Sequence, residues 1–223
     1  MRASHGSTPL TELLTWLDEQ DPQEQRTYWL RTFRMTVLAM LGRIAEARAL
    51  LGELRAEVIE RGALTLHAAI EGYARYIELL AGDLVAAAAA GETGCRLDEE
   101  LGQSSELSTI AGSLARVYSD LGQLEEAERW ASRAAELSSS DDASTQMLWR
   151  DAEALVEAHR GQHARAERLA REAVRIGEQT EALNAQAETY ADLGEVLALA
   201  GRHRRRPRPS KRPWPATRRR RLS

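Results

Sequence analysis

The chain has 223 residues, 43% hydrophobic and 29% charged, with one cysteine. That length buries about 70% of the unfolded chain's surface in a folded core, and the composition excludes a wholly disordered polypeptide. The lone Cys95 excludes an internal disulfide framework and a multi-cysteine zinc site, and its default state is a reduced, buried thiol in a cytoplasmic protein. The longest uncharged apolar run, Leu84 to Ala90, is far shorter than the roughly 20 residues a membrane span needs. The N-terminus lacks the apolar core of a signal peptide, so export is not expected.

The net charge of -4 conceals two unlike parts. Residues 202–223 hold ten arginines, the only lysine (Lys211), four of the six prolines and no acid. The first 201 residues therefore carry 19 basic side chains against all 34 acids. So acidic a body gives no reason to expect nucleic-acid or anionic-membrane binding; the tail alone would suggest it.

In chain order, residues 1–21 form an N-terminal segment with a short helix. Asp21-Pro22-Gln23-Glu24 then has the residues of a helix start: N-cap Asp, N1 Pro, N3 Glu. From there to residue 201 an internal repeat organises the body. Five segments share an apolar stretch, a glycine and then an amphipathic stretch: LAMLGRIAEARALL, IELLAGDLVAAAAA, VYSDLGQLEEAERWASRA, VEAHRGQHARAERLAREA and EVLALAGRH. Their glycines, Gly42, Gly82, Gly122, Gly161 and Gly201, are spaced by 40, 40, 39 and 40 residues. Each unit reads as a helical hairpin. A first helix of roughly 15–18 residues ends at the glycine, which adopts the left-handed conformation without a Cβ clash. A second helix follows at once, with a small residue five positions after the glycine: Ala47, Ala87, Ala127 and Ala166. A small residue there lets two antiparallel helices approach closely.

The third unit's second helix has the clearest apolar stripe: Leu124, Ala127, Trp130, Ala131, Ala134 and Leu137. Glu125 with Arg129, and Glu167 with Arg171, are spaced to pair on solvated faces. Ser138 to Asp142 is the clearest loop between units, and no segment has a strand pattern. One hairpin cannot bury its apolar face alone, whereas stacked neighbours can. The expected fold is all-α: an α-solenoid of four complete hairpins and one half hairpin over residues 22–201.

At these positions the third unit resembles a tetratricopeptide repeat. With Gly122 on one glycine-type position of that motif, Leu114, Ala115, Tyr118, Ala127 and Ala134 fall on its other signature positions. The fourth unit matches at Ala154, Gly161, Ala166 and Ala173, and the fifth at Leu193, Gly194 and Gly201. The first two units match less well, and Ala131 stands where the family prefers an aromatic. The period of 39–40 also exceeds the usual length of about 34. Longer repeats of this kind resemble the C-terminal repeat tails of bacterial adenylate/guanylate cyclase–ATPase or AfsR/LuxR-type regulators. The resemblance covers about residues 25–203. It implies a helical scaffold that binds proteins or relays a regulatory signal, and it carries no cyclase or ATPase residue into this chain.

Chemistry-bearing motifs are scarce. A phosphate-binding P-loop needs a lysine after its glycines, and the only lysine lies in PSKRPWP. His159 and His163 have a helical metal-ligand spacing, but Gly161 between them breaks the shared face. Cys95 has no neighbouring base, which favours a structural thiol over a nucleophile. Surface charge and capping account for Asp98-Glu99-Glu100 and Asp141-Asp142 better than acid–base pairing does. No catalytic residue, cofactor or metal site is expected.

The working surface of such a solenoid is the concave face formed by the first helices. The register puts Trp29, Phe33, Tyr73, Tyr76, Arg116, Asp151 and His159 near it. Trp29, Phe33 and Tyr73 can equally pack between neighbouring hairpins. Tyr76 and Arg116 are the better groove residues, with Tyr73, Asp151 and His159 as further partner-binding candidates. The implied partner is a protein or peptide, or the ATPase or cyclase domain of a longer parent chain, and not a membrane.

The tail has three readings. It is a basic arm whose arginines and Trp214 bind nucleic acid. It folds back on the acidic body. Or it is the product of a frameshift. The composition switches within three residues of Gly201, where a second helix should follow, and an Ala/Glu-rich helix of a GC-rich gene read out of frame becomes Arg- and Pro-rich. Under that last reading the half hairpin leaves an apolar end uncapped, which favours end-to-end association or poor solubility.

Overall fold

The computed structural model describes residues 9–21, 23 and 27–201. These form ten α-helices and, among the described residues, no strand: α1 (Leu10–Asp18), α2 (Tyr28–Met40), α3 (Ile44–Glu60), α4 (Leu64–Ala81), α5 (Leu84–Leu101), α6 (Ser104–Asp120), α7 (Leu124–Leu137), α8 (Ala143–His159), α9 (His163–Gly177) and α10 (Leu183–Leu199). Helices α2/α3, α4/α5, α6/α7 and α8/α9 are the four hairpins, and α10 is the first helix of a fifth. The basic segment 202–223, with Lys211 and Trp214, lies outside the described residues.

The five expected glycines all have a positive φ, between 68° and 80°. In the four complete hairpins the next residue sends its N–H back five residues. Arg43 donates to the Leu38 carbonyl and Gln123 to that of Tyr118, both at 2.9 Å. This satisfies carbonyls that the helix end leaves without a partner. Gly62 and Gly102 use the same turn between hairpins, with φ of 63° and 68°. From Gly42 to Gly122 the left-handed glycines thus recur every 20 residues, and the 40-residue period registers only alternate members. After α7 the device changes. The chain runs through Ser138–Asp142, and the Asp142 carboxylate accepts from the Thr145 N–H at 3.1 Å to start α8.

Two local expectations are corrected. Helix α2 begins at Tyr28 behind the N-cap Thr27, not at Asp21. The Asp21 side chain instead accepts from the Gln23 N–H at 2.8 Å, a turn that competes with helix; Pro22 and Glu24 lie outside the described residues. Arg129 pairs with Glu126, one turn back, rather than with Glu125. Arg171 does pair with Glu167, at 2.5 Å.

Packing follows the small residues. Ala47, Ala87, Ala127 and Ala166 are all fully buried, so each second helix lies close against its first. Each second helix also packs on the next first helix, as α5 does on α6 and α9 on α10. Among the first helices, α6 packs along α8 and α8 along α10, whereas α4 makes little contact with α6. The apolar core is a string of clusters. One spans α1–α4 around Leu17, Met35, Leu54 and Ile77. A second centres on Leu114, Val117 and Ala127. A third joins α8, α9 and α10 through Leu155, Ala170 and Val196. No described helix is long and apolar enough to cross a membrane.

Candidate protein-binding face

The first helices α2, α4, α6, α8 and α10 carry the residues proposed for the working surface. Trp29 and Phe33 on α2 are 75% and 42% exposed. Trp29 is the less covered of the two. Tyr73 on α4 does pack against the first core cluster and is half-buried. Tyr76, one turn on, is also half-buried. Tyr190 on α10 is 51% exposed and donates its hydroxyl to Glu178 at 2.5 Å.

Arg116 is a cross-link more than a free anchor. Its Nε donates to Asp120 at 2.9 Å on its own helix, and its terminal nitrogens pair with Asp192 and Glu195 of α10. It ties α6 to α10 across α8. Asp151 on α8 is buried, contrary to a groove position, and its Oδ1 has no hydrogen-bond partner. Burial above all pushes its carboxyl up to about 7; Glu188 adds to the rise and Arg116 opposes it. Arg116, Asp151, Glu188 and Asp192 are thus one charge cluster spanning α6, α8 and α10, set apart from the tyrosines of α4. His159 is the exposed last residue of α8, and His163 opens the next helix beyond Gly161. The acid spacing Glu188, Asp192, Glu195 on one helix face was legible in the sequence. That it faces an arginine 76 residues away was not.

Burial, with Asp98 and Glu99 beside it, pushes the Cys95 thiol up to about 12, so it stays protonated at neutral pH. Asp98, expected at the surface, is almost fully buried and is raised to about 6 by that burial and by Glu106. Asp141 accepts from the Ser139 hydroxyl and Asp142 caps α8, both local structural tasks. Among the described residues no group of three His, Cys, Asp or Glu is placed to hold a metal ion.

Two segments match tetratricopeptide-repeat models, residues 28–53 on α2/α3 and residues 107–138 on α6/α7. Over those two segments the hairpins match the tetratricopeptide type. Among solved structures, BtubC (BKLC) from P. vanneervenii is similar, with a TM-score of 0.65 at 19% identity over 87% of this chain and 85% of that one. A putative kinesin light chain from Podosopora anserina, described as having nearly identical TPR-like repeats, reaches a TM-score of 0.58 at 17% identity, over 78% of this chain and 86% of that one. At these identities the likeness shows the fold, an α-solenoid of tetratricopeptide-like hairpins. Comparison with curated proteins gives no match.

Proposed function

We propose that the chain is a non-catalytic, cytoplasmic scaffold that binds a protein or peptide along its first helices. The observation that carries this reading is the exposure of large aromatics on that layer, Trp29 and Phe33 above all. Leaving such side chains in water forgoes about 1.5–3 kcal/mol each relative to burial, and aromatics with arginine are typical interface anchors. The half-buried Tyr76 and Tyr73 extend the surface along α4. In this reading Arg116 and Asp151 set the spacing of α6, α8 and α10 rather than touch the partner, and His159 marks the rim. The finer proposal is that the partner is a regulatory ATPase, cyclase or transcription-regulator domain. The 39–40-residue period and its resemblance to the repeat tails of such regulators support it. A photo-crosslinking amino acid placed at Phe33 should trap one defined polypeptide in cells, while the same group at Arg168 on the exposed face of α9 should not. Equal labelling from both positions, or none from Phe33, contradicts the reading.

A further inference from the structure

The layer of first helices gathers acids at its α10 end and answers them with one cation. Ten residues before the turn glycine the other first helices carry Thr32, Gly72, Gly112 and Ala191, all small. Helix α8 puts Asp151 there instead. Asp151 is only 6% exposed, and its buried Oδ1 has no hydrogen-bond partner. It lies against Arg116 and Glu188. Glu188 is exposed and, among the described residues, unpaired. Asp120, Asp192 and Glu195 share the Arg116 guanidinium between them. Carboxylates from α6, α8 and α10 thus crowd around a single arginine.

Such a cluster lacks cations. Like charges this close repel, and a buried carboxylate without a donor is destabilising. Elsewhere in the body a buried acid has an arginine of its own, as Glu71 has Arg55 and Glu78 has Arg48. The missing cations are present in the sequence. Residues 202–223 follow α10 directly and hold ten arginines, Lys211 and no acid. Their reach is sufficient. Glu188 precedes Gly201 by thirteen residues, which is about 20 Å along a helix. The ten residues from Gly201 to Lys211 can span up to about 33 Å.

We propose that the acidic face of α6, α8 and α10 around Asp151 and Glu188 is the seat of the chain's own residues 202–223, whose arginines pair with its carboxylates. A guanidinium offers a planar fork that matches a carboxylate. Pro207, Pro209, Pro213 and Pro215 favour an extended segment, suited to lie across several helices. Because the segment is joined to α10, its binding is intramolecular, and a weak contact is enough. The seat occupies the α10 end of the first-helix layer and leaves Trp29 and Phe33, on α2 at the other end of the stack, clear. The inference goes beyond the protein-binding reading of that layer and does not depend on it.

Lys211 is the only lysine, which supplies the test. A zero-length carbodiimide joins an amine to a carboxylate in contact with it. An equal mixture of light and heavy-isotope copies of the full chain is coupled, and the linked peptides are mapped by mass spectrometry. The expected result is Lys211 joined to Glu188 or Glu195 within one copy. The yield should fall several-fold between about 0.01 and 1 M salt, as the Debye length shrinks from about 30 to 3 Å. Arg204→Gln, Arg205→Gln, Arg206→Gln and Arg208→Gln together keep the Lys211 amine but should lower the yield about tenfold, as loss of charged hydrogen bonds implies. Links between light and heavy copies overturn the proposal in favour of a second copy as the occupant. Coupling spread over acids of α3, α7 and α9, no Lys211 link at all, or an unchanged yield in the glutamine variant overturns it in favour of a segment with no seat on the body. Crosslinking from Phe33 probes α2, so its outcome reports separately on the binding face.

Discussion

Asp151 illustrates how a single side chain sets a measurable property. Its carboxyl titrates near 7 in the folded chain and near 3.9 in the unfolded one. Between those values the folded state binds more protons, so stability falls as pH rises through that window and the loss is complete above 7. Asp98, raised to about 6, contributes in the same direction. Asp151→Asn carries no charge to bury and should flatten the decline, leaving it on the order of 2–4 kcal/mol smaller between pH 5 and 8. Chemical denaturation across that range measures it. An unchanged slope in the variant would mean that Asp151 is hydrated. This residue also marks a limit of the sequence reading. Its position in the repeat was legible, but its burial depends on how closely α6 and α8 approach, set at Gly112, where a Cβ would meet Leu148 at 2.8 Å.

At the scale of helices, most of the architecture was written in a few residue types. Glycines at a fixed interval and alanines five places later specify turn and close packing together, and both appear where the spacing put them. Gly62 and Gly102 were in view but unread, because a 40-residue frame treats the turns between hairpins as different from those within them. The start of α2 differs from the expected one because Asp21-Pro22 suits a turn as well as an N-cap. The long-range ion pairs were not legible at all, since no local pattern says which acid an arginine will meet. Arg116 is the case with consequences. Replacing it by Ala leaves Asp192 buried without its cation, which should cost about 1–3 kcal/mol. Because repeats contact mainly their neighbours, the loss should be local. Hydrogen exchange should quicken in α10 and stay unchanged in α2 and α3. Uniform quickening along the chain would contradict a local latch.

For the whole molecule, the stack has two kinds of surface. The outer helices present paired charges, such as Arg171–Glu167 and Arg129–Glu126 on α9 and α7, which contribute little to stability and suit solvent. The first helices present exposed aromatics and a charge cluster whose Asp151 and Asp192 are buried. That asymmetry is what a binding surface needs, and it could be read only in part from sequence, because exposure of Trp29 and Phe33 depends on the angle at which α2 meets α4. Leu183, at 74% exposed, and Tyr190 add exposed apolar surface on α10. The most direct test of the account is calorimetric titration of the polypeptide captured from Phe33 against four variants. Trp29→Ala and Phe33→Ala should each weaken binding by about 1–2 kcal/mol or more, tenfold or so in Kd, while Arg168→Ala and Arg171→Ala on α9 leave it unchanged. The reverse pattern, with affinity lost from α9 and kept on α2, would contradict the claim that this solenoid works through its first helices.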